Sequence, residues 1–485
     1  MLLYNSLHGK KEEFQPLRDN HVRLYVCGIT AYDYCHIGHA RSAVVFDVLV
    51  RYLRHRGWEV TFVRNFTDID DKIIKRAATE GLSSAEVAEK YIAAFYEDMD
   101  RLGILRADYE PRATEHIPGM IRLNESLIER GYAYATDQGD VYFRVRAFEG
   151  YGRLSGRNIE ELRSGARVEP GESKEDPLDF ALWKSAKPGE PSWPSPWGPG
   201  RPGWHLECSV MSEQLLGLPL DIHGGGQDLS FPHHENEMAQ SMAATGGEFV
   251  RFWVHNGFVQ VNAEKMSKSL GNFVTIRDIL AKFNAEVLRF FLLTKHYRSP
   301  LDFSFSSMEE AEKALQRIYQ TMALLSEHVS GGKWNDTALP AELETELAAM
   351  EDDWIRSMED DLNTAGALGH VFGVVRLGNR MLENKAWRKS AASRNLGNRI
   401  LEDLQRWGQA MGLFQAEPAS WLAALKDIRV QRRELSVERI NELLAARQDA
   451  RQAKDFQRAD AVRHELAELG VEVRDTPGGQ VWDVG

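Results

Sequence analysis

The fold is decided by residues 21–63, whose sequence is HVRLYVCGITAYDYCHIGHARSAVVFDVLVRYLRHRGWEVTFV. Apolar Val22, Leu24 and Val26 alternate with polar residues, and this period of two predicts a β-strand over residues 21–27. A second strand is predicted over residues 59–63. Between the strands, apolar residues recur three and four apart at Val45, Val48, Leu49 and Tyr52, which predicts an amphipathic helix. Gly57 is the glycine expected to cap the end of this helix. Strand, helix and strand form a parallel crossover unit, so we predict an α/β fold with a doubly wound, Rossmann-like parallel sheet.

The patterns that follow predict an insertion and a second α/β portion. Helical periodicity covers residues 84–103 and 118–131, a strand is predicted over 141–145, and residues 188–203 are too rich in Pro, Gly, Ser and Trp for a regular element. Beyond them we predict a strand over 220–223, a tight turn at the three glycines 224–226, and a helix that begins at Pro232 and ends near Gly246.

The C-terminal part of the chain is predicted to be helical. Residues 308–411 carry helical patterns that are broken near 331–336, as expected of an antiparallel bundle, and a compact unit follows from about residue 417. The resulting organisation is a catalytic core with an insertion, an all-α bundle and a small C-terminal domain. We predict boundaries at 1–120 and 201–306 for the two halves of the catalytic domain, 121–200 for the insertion, 307–416 for the bundle and 417–485 for the C-terminal domain.

Composition and charge exclude several classes of protein. The chain has 485 residues, 43% of them hydrophobic and 27% charged, which fits a multidomain globular protein and excludes a disordered or collagen-like chain. A net charge of −13 argues against nonspecific coating of nucleic acid, although local basic surfaces remain possible. Three cysteines are too few for a disulfide framework, and there is neither an apolar run of membrane-spanning length nor a signal-peptide pattern in the first 17 residues. We therefore expect a cytoplasmic protein with no membrane partner.

A short histidine motif stands at the start of the first predicted helix. His36, Gly38 and His39 follow the first strand, and the backbone N–H groups and dipole of a helix N-terminus favour a phosphate at this point. Gly38 lacks a side chain, so a flat base or a phosphate can approach the backbone closely. Taken alone, the same residues are better explained as ordinary capping or surface histidines.

A second motif, EKMSKSLGN, occupies residues 264–272. Its Lys265 and Lys268 alternate with hydroxyl side chains, and such a loop can contact phosphate oxygens through ammonium groups and serine hydroxyls. A solvated surface loop is the alternative. In this order, however, the two motifs resemble the pair of signature sequences of class I aminoacyl-tRNA synthetases, which favours a nucleotide site.

Residues of the types that bind zinc occur in three separate stretches of the sequence. Cys27 ends the first predicted strand, Cys208 lies in WHLECS, and His233 and Glu237 lie in PHHENE. On a helix, His233 and Glu237 share one face four residues apart and can converge on a metal ion, and the spacing permits His234 as well. Free cysteines are most often small buried residues, so spacing alone leaves a zinc site and plain packing as alternatives.

The chain resembles the cysteinyl-tRNA synthetase family along essentially its whole length, most closely over residues 201–209, 221–240 and 253–273. The resemblance implies an enzyme that activates L-cysteine with ATP and Mg²⁺ and transfers it to cysteine tRNA. It implies one zinc ion with the substrate thiolate as an added ligand, and it assigns the protein ligands to Cys27, Cys208, His233 and Glu237. A monomer is expected.

The same resemblance assigns roles to further residues. ATP binding falls on His36, Gly38, His39, Lys265 and Lys268, of which the two histidines and two lysines are the expected catalytic residues. The substrate cysteine is expected to be surrounded by Thr67, Trp204 and Asp228.

Basic residues near the C-terminus suggest an RNA contact. They recur three or four apart on one predicted helix, and Trp482 could stack on an unpaired base; the stripe is Arg447, Arg451, Lys454 and Arg458. A solvated helix face paired with neighbouring aspartates is the alternative. In the resembled family this region binds the anticodon.

Two other functions compete with tRNA charging. A related ligase that joins activated cysteine to an amino sugar would keep the zinc and phosphate motifs, but it would not need the roughly seventy residues beyond Leu413. A catalytically silent RNA-binding relative, in which zinc only stabilises the fold, is disfavoured by the intact His36, His39, Lys265 and Lys268.

Overall fold

The protein is described by a computed structural model that covers residues 1–158, 173–262, 264–265, 273–476 and 479–484. The strands of these residues are, in chain order, β1 (Leu2–Asn5), β2 (Lys10–Glu13), β3 (His21–Thr30), β4 (Glu59–Thr67), β5 (Ala133–Ala135), β6 (Val141–Phe143), β7 (Phe180–Ser185), β8 (Gly200–Pro202), β9 (Leu220–Gly226), β10 (Val250–Asn256), β11 (Val259–Val261), β12 (Glu264–Lys265), β13 (Leu301–Phe303), β14 (Val471–Thr476) and β15 (Gly479–Val484). The α-helices are α1 (Ile37–His55), α2 (Asp71–Glu80), α3 (Ser84–Arg101), α4 (Ile117–Glu129), α5 (Trp204–Leu216), α6 (Glu235–Thr245), α7 (Ile276–Leu280), α8 (Ala285–Leu293), α9 (Phe305–Ser330), α10 (Ala341–Glu359), α11 (Thr364–Glu383), α12 (Ala391–Met411), α13 (Pro418–Arg432), α14 (Val437–Gln452) and α15 (Phe456–Glu468).

A four-stranded parallel sheet organises the first 300 residues. Its strand order is β10-β9-β3-β4, and α1 connects the adjacent strands β3 and β4. The register pairs Leu24 with Ile222 on one side and with Phe62 on the other. The predicted strand, helix and strand are thus confirmed as a Rossmann-like crossover, although both strands run longer than predicted, to Thr30 and Thr67.

The residues of β3 alternate between two hydrophobic cores. Val22, Leu24 and Val26 belong to the core that includes α1. Tyr25 belongs to a second core that includes residues of α5 and α6. Arg23 is buried as well, and its guanidinium is paired with the carboxylate of Asp221. Both faces of the sheet are therefore covered, as parallel sheets require.

The three glycines at 224–226 form the end of β9, so the tight turn predicted there is wrong. A Cβ atom on Gly224 would lie 2.2 Å from the ring of Phe46, and one on Gly225 would lie 2.9 Å from the ring of His234. The glycines thus permit α1 and the following segment to approach the strand closely. That segment, Ser230–His234, is a short π-helical stretch in which only Phe231 has non-helical dihedral angles, and it continues directly into α6. The helix predicted to begin at Pro232 and to end near Gly246 is therefore confirmed.

The insertion between α4 and α5 contains a small antiparallel sheet. Its strand order is β5-β6-β7-β8. Strand β6 confirms the strand predicted near residue 141, whereas β8 lies in the stretch predicted to be irregular. This edge strand is short, and residues 188–199 before it contain neither a helix nor a strand, as predicted.

Helices α9 to α12 form the predicted bundle, with the break after Ser330. The bundle continues the core of the sheet domain, because residues of α1, α8, α10 and α12 belong to one hydrophobic cluster. Asp47 on α1 and Arg289 on α8 form an ion pair with almost no solvent exposure, and Arg289 Nε donates to the carbonyl of Met411 at 2.8 Å. Trp354 and Trp407 stack in the same region with ring centroids 5.3 Å apart.

The C-terminal unit packs against the bundle through another buried ion pair. Arg429 Nε on α13 lies 2.7 Å from the carboxylate of Glu312 on α9. The unit has a small core of its own, formed by Ile440, Leu443, Leu466 and Val471. Among the helices of the ranges described above, none combines the length and apolarity needed to cross a membrane.

The basic stripe predicted near the C-terminus is not on a single helix. Helix α14 ends at Gln452 and α15 begins at Phe456, so Lys454 lies between them. Arg447 is buried, and its guanidinium and that of Arg451 pair with Asp475. Lys454 and Arg458 are exposed. The ring of Trp482 is half-buried, with the Lys426 ammonium 3.4 Å from its centroid.

We predict that Asp47→Ala destabilises the protein by about 3–5 kcal/mol, because it leaves the buried guanidinium of Arg289 without its carboxylate. Burial alone would raise the pKa of the Asp47 carboxyl, but Arg289 and Arg51 hold that pKa below its ordinary value of 3.8. The stabilisation is therefore complete above pH 3.8 and is lost as the pH falls below it. Urea denaturation measured at several pH values checks both statements.

The control for this prediction is Glu344→Ala, which removes an exposed ion pair with Arg399. Exposed pairs contribute about 0–1 kcal/mol, so this variant should unfold close to the wild type. Equal losses in the two variants would contradict a special contribution from the buried pair.

Candidate active site

The carboxyl ends of the parallel strands bring the candidate residues together. Cys27 lies in β3, Thr67 is the last residue of β4, and Cys208 lies in the first turns of α5. His233 and Glu237 flank the start of α6, which follows β9. Open α/β sheets bind ligands at this edge.

Four side chains form a compact cluster of ligand atoms. Cys27 Sγ lies 3.6 Å from Cys208 Sγ and 3.5 Å from Glu237 Oε1. His233 Nε2 lies 2.9 Å from the same carboxylate oxygen. The four ligand atoms all lie within 4.8 Å of one another, so they can hold one metal ion. Two thiols, an imidazole and a carboxylate are a donor set that suits zinc.

A second group of potential ligands overlaps the first. Cys27 and Glu237 are shared, and His223 and His234 replace the other two residues. His234 Nε2 lies 3.4 Å from Cys27 Sγ, while its Nδ1 is 2.8 Å from His255 Nε2. His234, the alternative left open by the sequence spacing, is therefore also close to the cluster. Only the group with Cys208 and His233 offers two sulfur donors.

The electrostatics of the cluster favour a positive charge at its centre. Burial alone would raise the pKa of the Glu237 carboxyl, but His223 and His233 hold it well below its ordinary value. Burial alone would lower the pKa of His233, but Glu237 and Cys208 raise it to about 10. The fully buried carboxylate of Glu237 is thus compensated by a neighbouring imidazolium, and a bound cation suits the same position.

A neighbouring carboxylate holds the start of α6 in place. The two oxygens of buried Glu235 accept hydrogen bonds from Gly152 N at 2.9 Å and from Ser155 N and Oγ, both at 2.8 Å. The insertion is thereby attached to the helix that carries Glu237. His205 Nδ1 lies 2.9 Å from His233 Nδ1. The sequence patterns did not single out Glu235, His205, His223 or His255, although a polar residue within an otherwise apolar strand or helix was a usable signal.

Two of the three residues expected around the substrate lie beside the cluster. The indole of Trp204 stacks on the imidazole of His233 with centroids 4.1 Å apart. Thr67 Oγ1 donates to Glu207 Oε2 at 2.7 Å, and Glu207 directly precedes Cys208. Asp228 is exposed in the short turn that follows β9.

The histidine motif forms the N-terminal cap of α1, as the sequence predicted. His36 Nδ1 accepts from Gly38 N at 3.0 Å, and His39 Nδ1 accepts from His36 N at 3.1 Å. Burial and the neighbouring His36 lower the pKa of His39 well below its ordinary value, so its ring is neutral. Because each Nδ1 accepts a hydrogen bond, a neutral ring carries its proton on Nε2. The His39 ring therefore carries its N–H donor on Nε2, at a helix N-terminus.

Of the second motif, residues 264–272, the structure describes only Glu264 and Lys265. Glu264 and Lys265 form β12, in which Lys265 pairs with Gln260 of β11. Lys268 lies outside the described residues.

The fold and the site together define a class I aminoacyl-tRNA synthetase. Residues 13–313 match the family model described as tRNA synthetases class I (C) catalytic domain. Solved structures with this fold include a Mycobacterium tuberculosis methionyl-tRNA synthetase in complex with methionyl-adenylate, with a TM-score of 0.63, 15% identity and coverage of 81% of this chain and 92% of that chain. A putative arginyl tRNA synthetase from Campylobacter jejuni aligns with a TM-score of 0.53 and 16% identity over 84% of this chain and 95% of that one.

Within that class, the chain belongs to the cysteine–tRNA ligase family. Curated cysteine–tRNA ligases of Maridesulfovibrio salexigens and Oleidesulfovibrio alaskensis are 64% and 65% identical to it, each over 484 residues that cover 100% of both chains. The ligase of Lawsonia intracellularis is 54% identical over the same length. Residues 434–482 match a cysteinyl-tRNA ligase anticodon binding domain, and residues 348–415 match a DALR domain. The resemblance inferred from the signature motifs is confirmed.

We predict that His233→Ala abolishes stoichiometric zinc binding, whereas His234→Ala retains about one zinc per chain. The reason is that the group containing His233 is the one that joins two sulfur donors to Glu237. Metal analysis of the purified variants after dialysis against a chelator measures the difference. Loss of zinc in His234→Ala alone would assign the ligand to His234 instead.

Proposed function

We propose that this protein activates L-cysteine with ATP, forms cysteinyl-adenylate, and transfers cysteine to the 3′ end of cysteine tRNA. We further propose that zinc held by Cys27, Cys208, His233 and Glu237 selects the substrate by its sulfur. The observation that carries the proposal is the cluster of two thiols, an imidazole and a carboxylate at the same sheet edge as the capped histidine motif. Membership of the cysteine–tRNA ligase family supports the reaction.

Selection by sulfur solves a problem that pocket shape does not solve. Cysteine and serine differ by one atom, and a steric pocket separates such close analogues by only about 1–3 kcal/mol. Zinc bound by two thiolates supplies a position that prefers a third thiolate to a hydroxyl. Trp204, stacked on His233, closes one side of this position with an apolar ring. Thr67 and Asp228 complete the proposed surroundings of the substrate.

The chain's own residues provide the charge stabilisation for adenylate formation. As the cysteine carboxylate attacks the α-phosphate, negative charge develops on the phosphate oxygens and on the departing pyrophosphate. The Nε2–H groups of His36 and His39 and the N-terminus of α1 are donors suited to these oxygens, and Gly38 leaves room for them. We assign Lys265, Lys268 and Mg²⁺ to the pyrophosphate side, as the second motif of the family implies.

A tRNA substrate is favoured over an amino sugar. The match of residues 434–482 to an anticodon binding domain supports this choice, since a ligase for a small amine has no need of such a unit. Lys454 and Arg458 are exposed there and form no ion pair among the residues that the structure describes, so both suit phosphate contacts. We propose that the enzyme works as a monomer in the cytoplasm. Charging assays with tRNA and with an amino sugar as alternative acceptors distinguish the two reactions.

We predict that Cys208→Ser loses zinc and the preference for cysteine over serine together, because it removes one of the two thiolates. The measurements are zinc content and ATP–pyrophosphate exchange driven by each amino acid. Normal zinc content with unchanged selection would contradict the ligand assignment. Cys35→Ser is the matched control, since Cys35 is buried outside the cluster and should leave both measurements unchanged.

We predict that His39→Asn slows adenylate formation roughly 100- to 1,000-fold, the usual cost of removing one donor to a developing oxyanion. The asparagine oxygen can still accept from His36 N, so the helix cap is kept while the Nε2–H donor is lost. Single-turnover adenylate formation measures the rate, and calorimetry should show unchanged cysteine affinity. His55→Asn, at the exposed end of the same helix, is the control, and an equal effect there would refute the assignment.

A further inference from the structure

Glu207 is a buried carboxylate with one of its two oxygens left without a hydrogen bond from the described residues. Its side chain is 1% exposed, and its Oε1 has no hydrogen-bond partner among the residues that the structure describes. Burial raises the pKa of the Glu207 carboxyl well above its ordinary value, the Thr67 hydroxyl opposes that rise, and no Lys, Arg or His of the described residues forms an ion pair with it. Buried carboxylates are normally paired, so an unpaired one calls for a ligand or a functional explanation.

The hydroxyl of Thr67 is committed to this carboxylate. Thr67 Oγ1 donates its single proton to Glu207 Oε2 at 2.7 Å. A threonine hydroxyl has one donor and two acceptor lone pairs, so toward any other group Thr67 can only accept. Glu207 and Thr67 together therefore form a pair of acceptors with no donor directed outward.

This pair belongs to the same elements as the proposed thiol position. Glu207 directly precedes the proposed zinc ligand Cys208 on α5, and Thr67 ends β4, where it pairs with Thr30 of β3. Trp204, one turn before Cys208, stacks on His233. A small molecule with its sulfur on the metal would thus have its neighbouring groups close to Thr67 and Glu207.

We propose that Glu207, with Thr67, binds the α-ammonium group of the substrate amino acid. An ammonium group offers three donors and one positive charge, which match the free Oε1, the acceptor hydroxyl and the missing cation. The inference rests on the proposed function, because it requires the substrate sulfur at the Cys27–Cys208 cluster. It adds a residue that reads the amino group, whereas the cluster reads the sulfur.

The test compares two thiols that differ only in the amine. Cysteamine carries a thiol and an ammonium, and 1-propanethiol replaces the ammonium with a methyl group. Calorimetry on the zinc-loaded full-length protein gives the dissociation constant of each. For the wild type we expect cysteamine to bind more tightly, and Glu207→Gln should reduce that preference roughly 10- to 100-fold, as expected for a charge-assisted hydrogen bond. The affinity for 1-propanethiol should be unchanged.

The quantity compared between variants is the preference, the ratio of the affinities for cysteamine and 1-propanethiol, and this ratio is insensitive to two other effects. The greater acidity of the cysteamine thiol cancels, because it is the same in wild type and variant. A general disturbance of the site would weaken both thiols equally, and that result would overturn the proposal. Glu213→Gln, an exposed position on the same helix, is the matched control and should keep the wild-type preference.

Two further variants keep the test decisive. Thr67→Val retains the shape of the side chain and removes one acceptor, so it should reduce the preference for cysteamine in part. If Glu207→Gln does not fold, the result for Thr67→Val tests the proposed ammonium site in its place. If Asp228→Asn loses the preference for cysteamine and Glu207→Gln keeps it, the ammonium group binds at Asp228 and the inference is overturned. If the wild-type protein binds neither thiol, both the proposed sulfur site and the inference are refuted. If the protein binds the thiols and the preference is unchanged in Glu207→Gln and Thr67→Val, only the inference is refuted.

Discussion

The site depends on one buried charge, the carboxylate of Glu237. This side chain is fully buried, and its two oxygens lie 2.8 Å from His223 Nε2 and 2.9 Å from His233 Nε2. A carboxylate in such surroundings is costly unless positive or hydrogen-bonding groups compensate it. Those groups come from β9 and from the segment before α6, and they bring Cys27 and Cys208 within reach of the same point. The cluster of candidate metal ligands therefore forms around the groups that compensate one negative charge inside the protein.

Buried ion pairs also connect this domain to the rest of the chain. Asp47 on the helix that begins with the histidine motif is paired with Arg289, which also contacts the end of α12 through Met411. Glu312 and Arg429 make a similar connection between the bundle and the C-terminal unit. Because each pair is expensive to break, the helix that holds the nucleotide motif is fixed relative to the bundle. Such rigidity suits an enzyme whose proposed RNA substrate must contact two distant regions.

The local elements were predictable because local patterns decide them. The alternation in β3, the helical spacing in α1 and the glycine after α6 are each readable over a few residues. The signature motifs and the four candidate metal ligands could be proposed from the sequence once their joint resemblance to a family was recognised, and the structure brings the four ligand atoms within 4.8 Å of one another. Predictions failed where a distant contact decided the conformation. The glycines of β9 lie within the strand, where Phe46 and His234 pack closely against them, and Arg447 of the predicted basic stripe is buried because it pairs with Asp475 in β14.

The sequence by itself determined the class of fold, the identity of the nucleotide motifs and the set of candidate metal ligands, because these depend on spacing and residue type. Only the tertiary structure decided which side chains meet. It added Glu235, His223 and Glu207 to the site, placed His234 as a second possible ligand, and showed which way the Thr67 hydroxyl donates. The physical reason is that burial and hydrogen-bond direction arise between segments far apart in the chain, as between Thr67 and Glu207, and no local pattern encodes them.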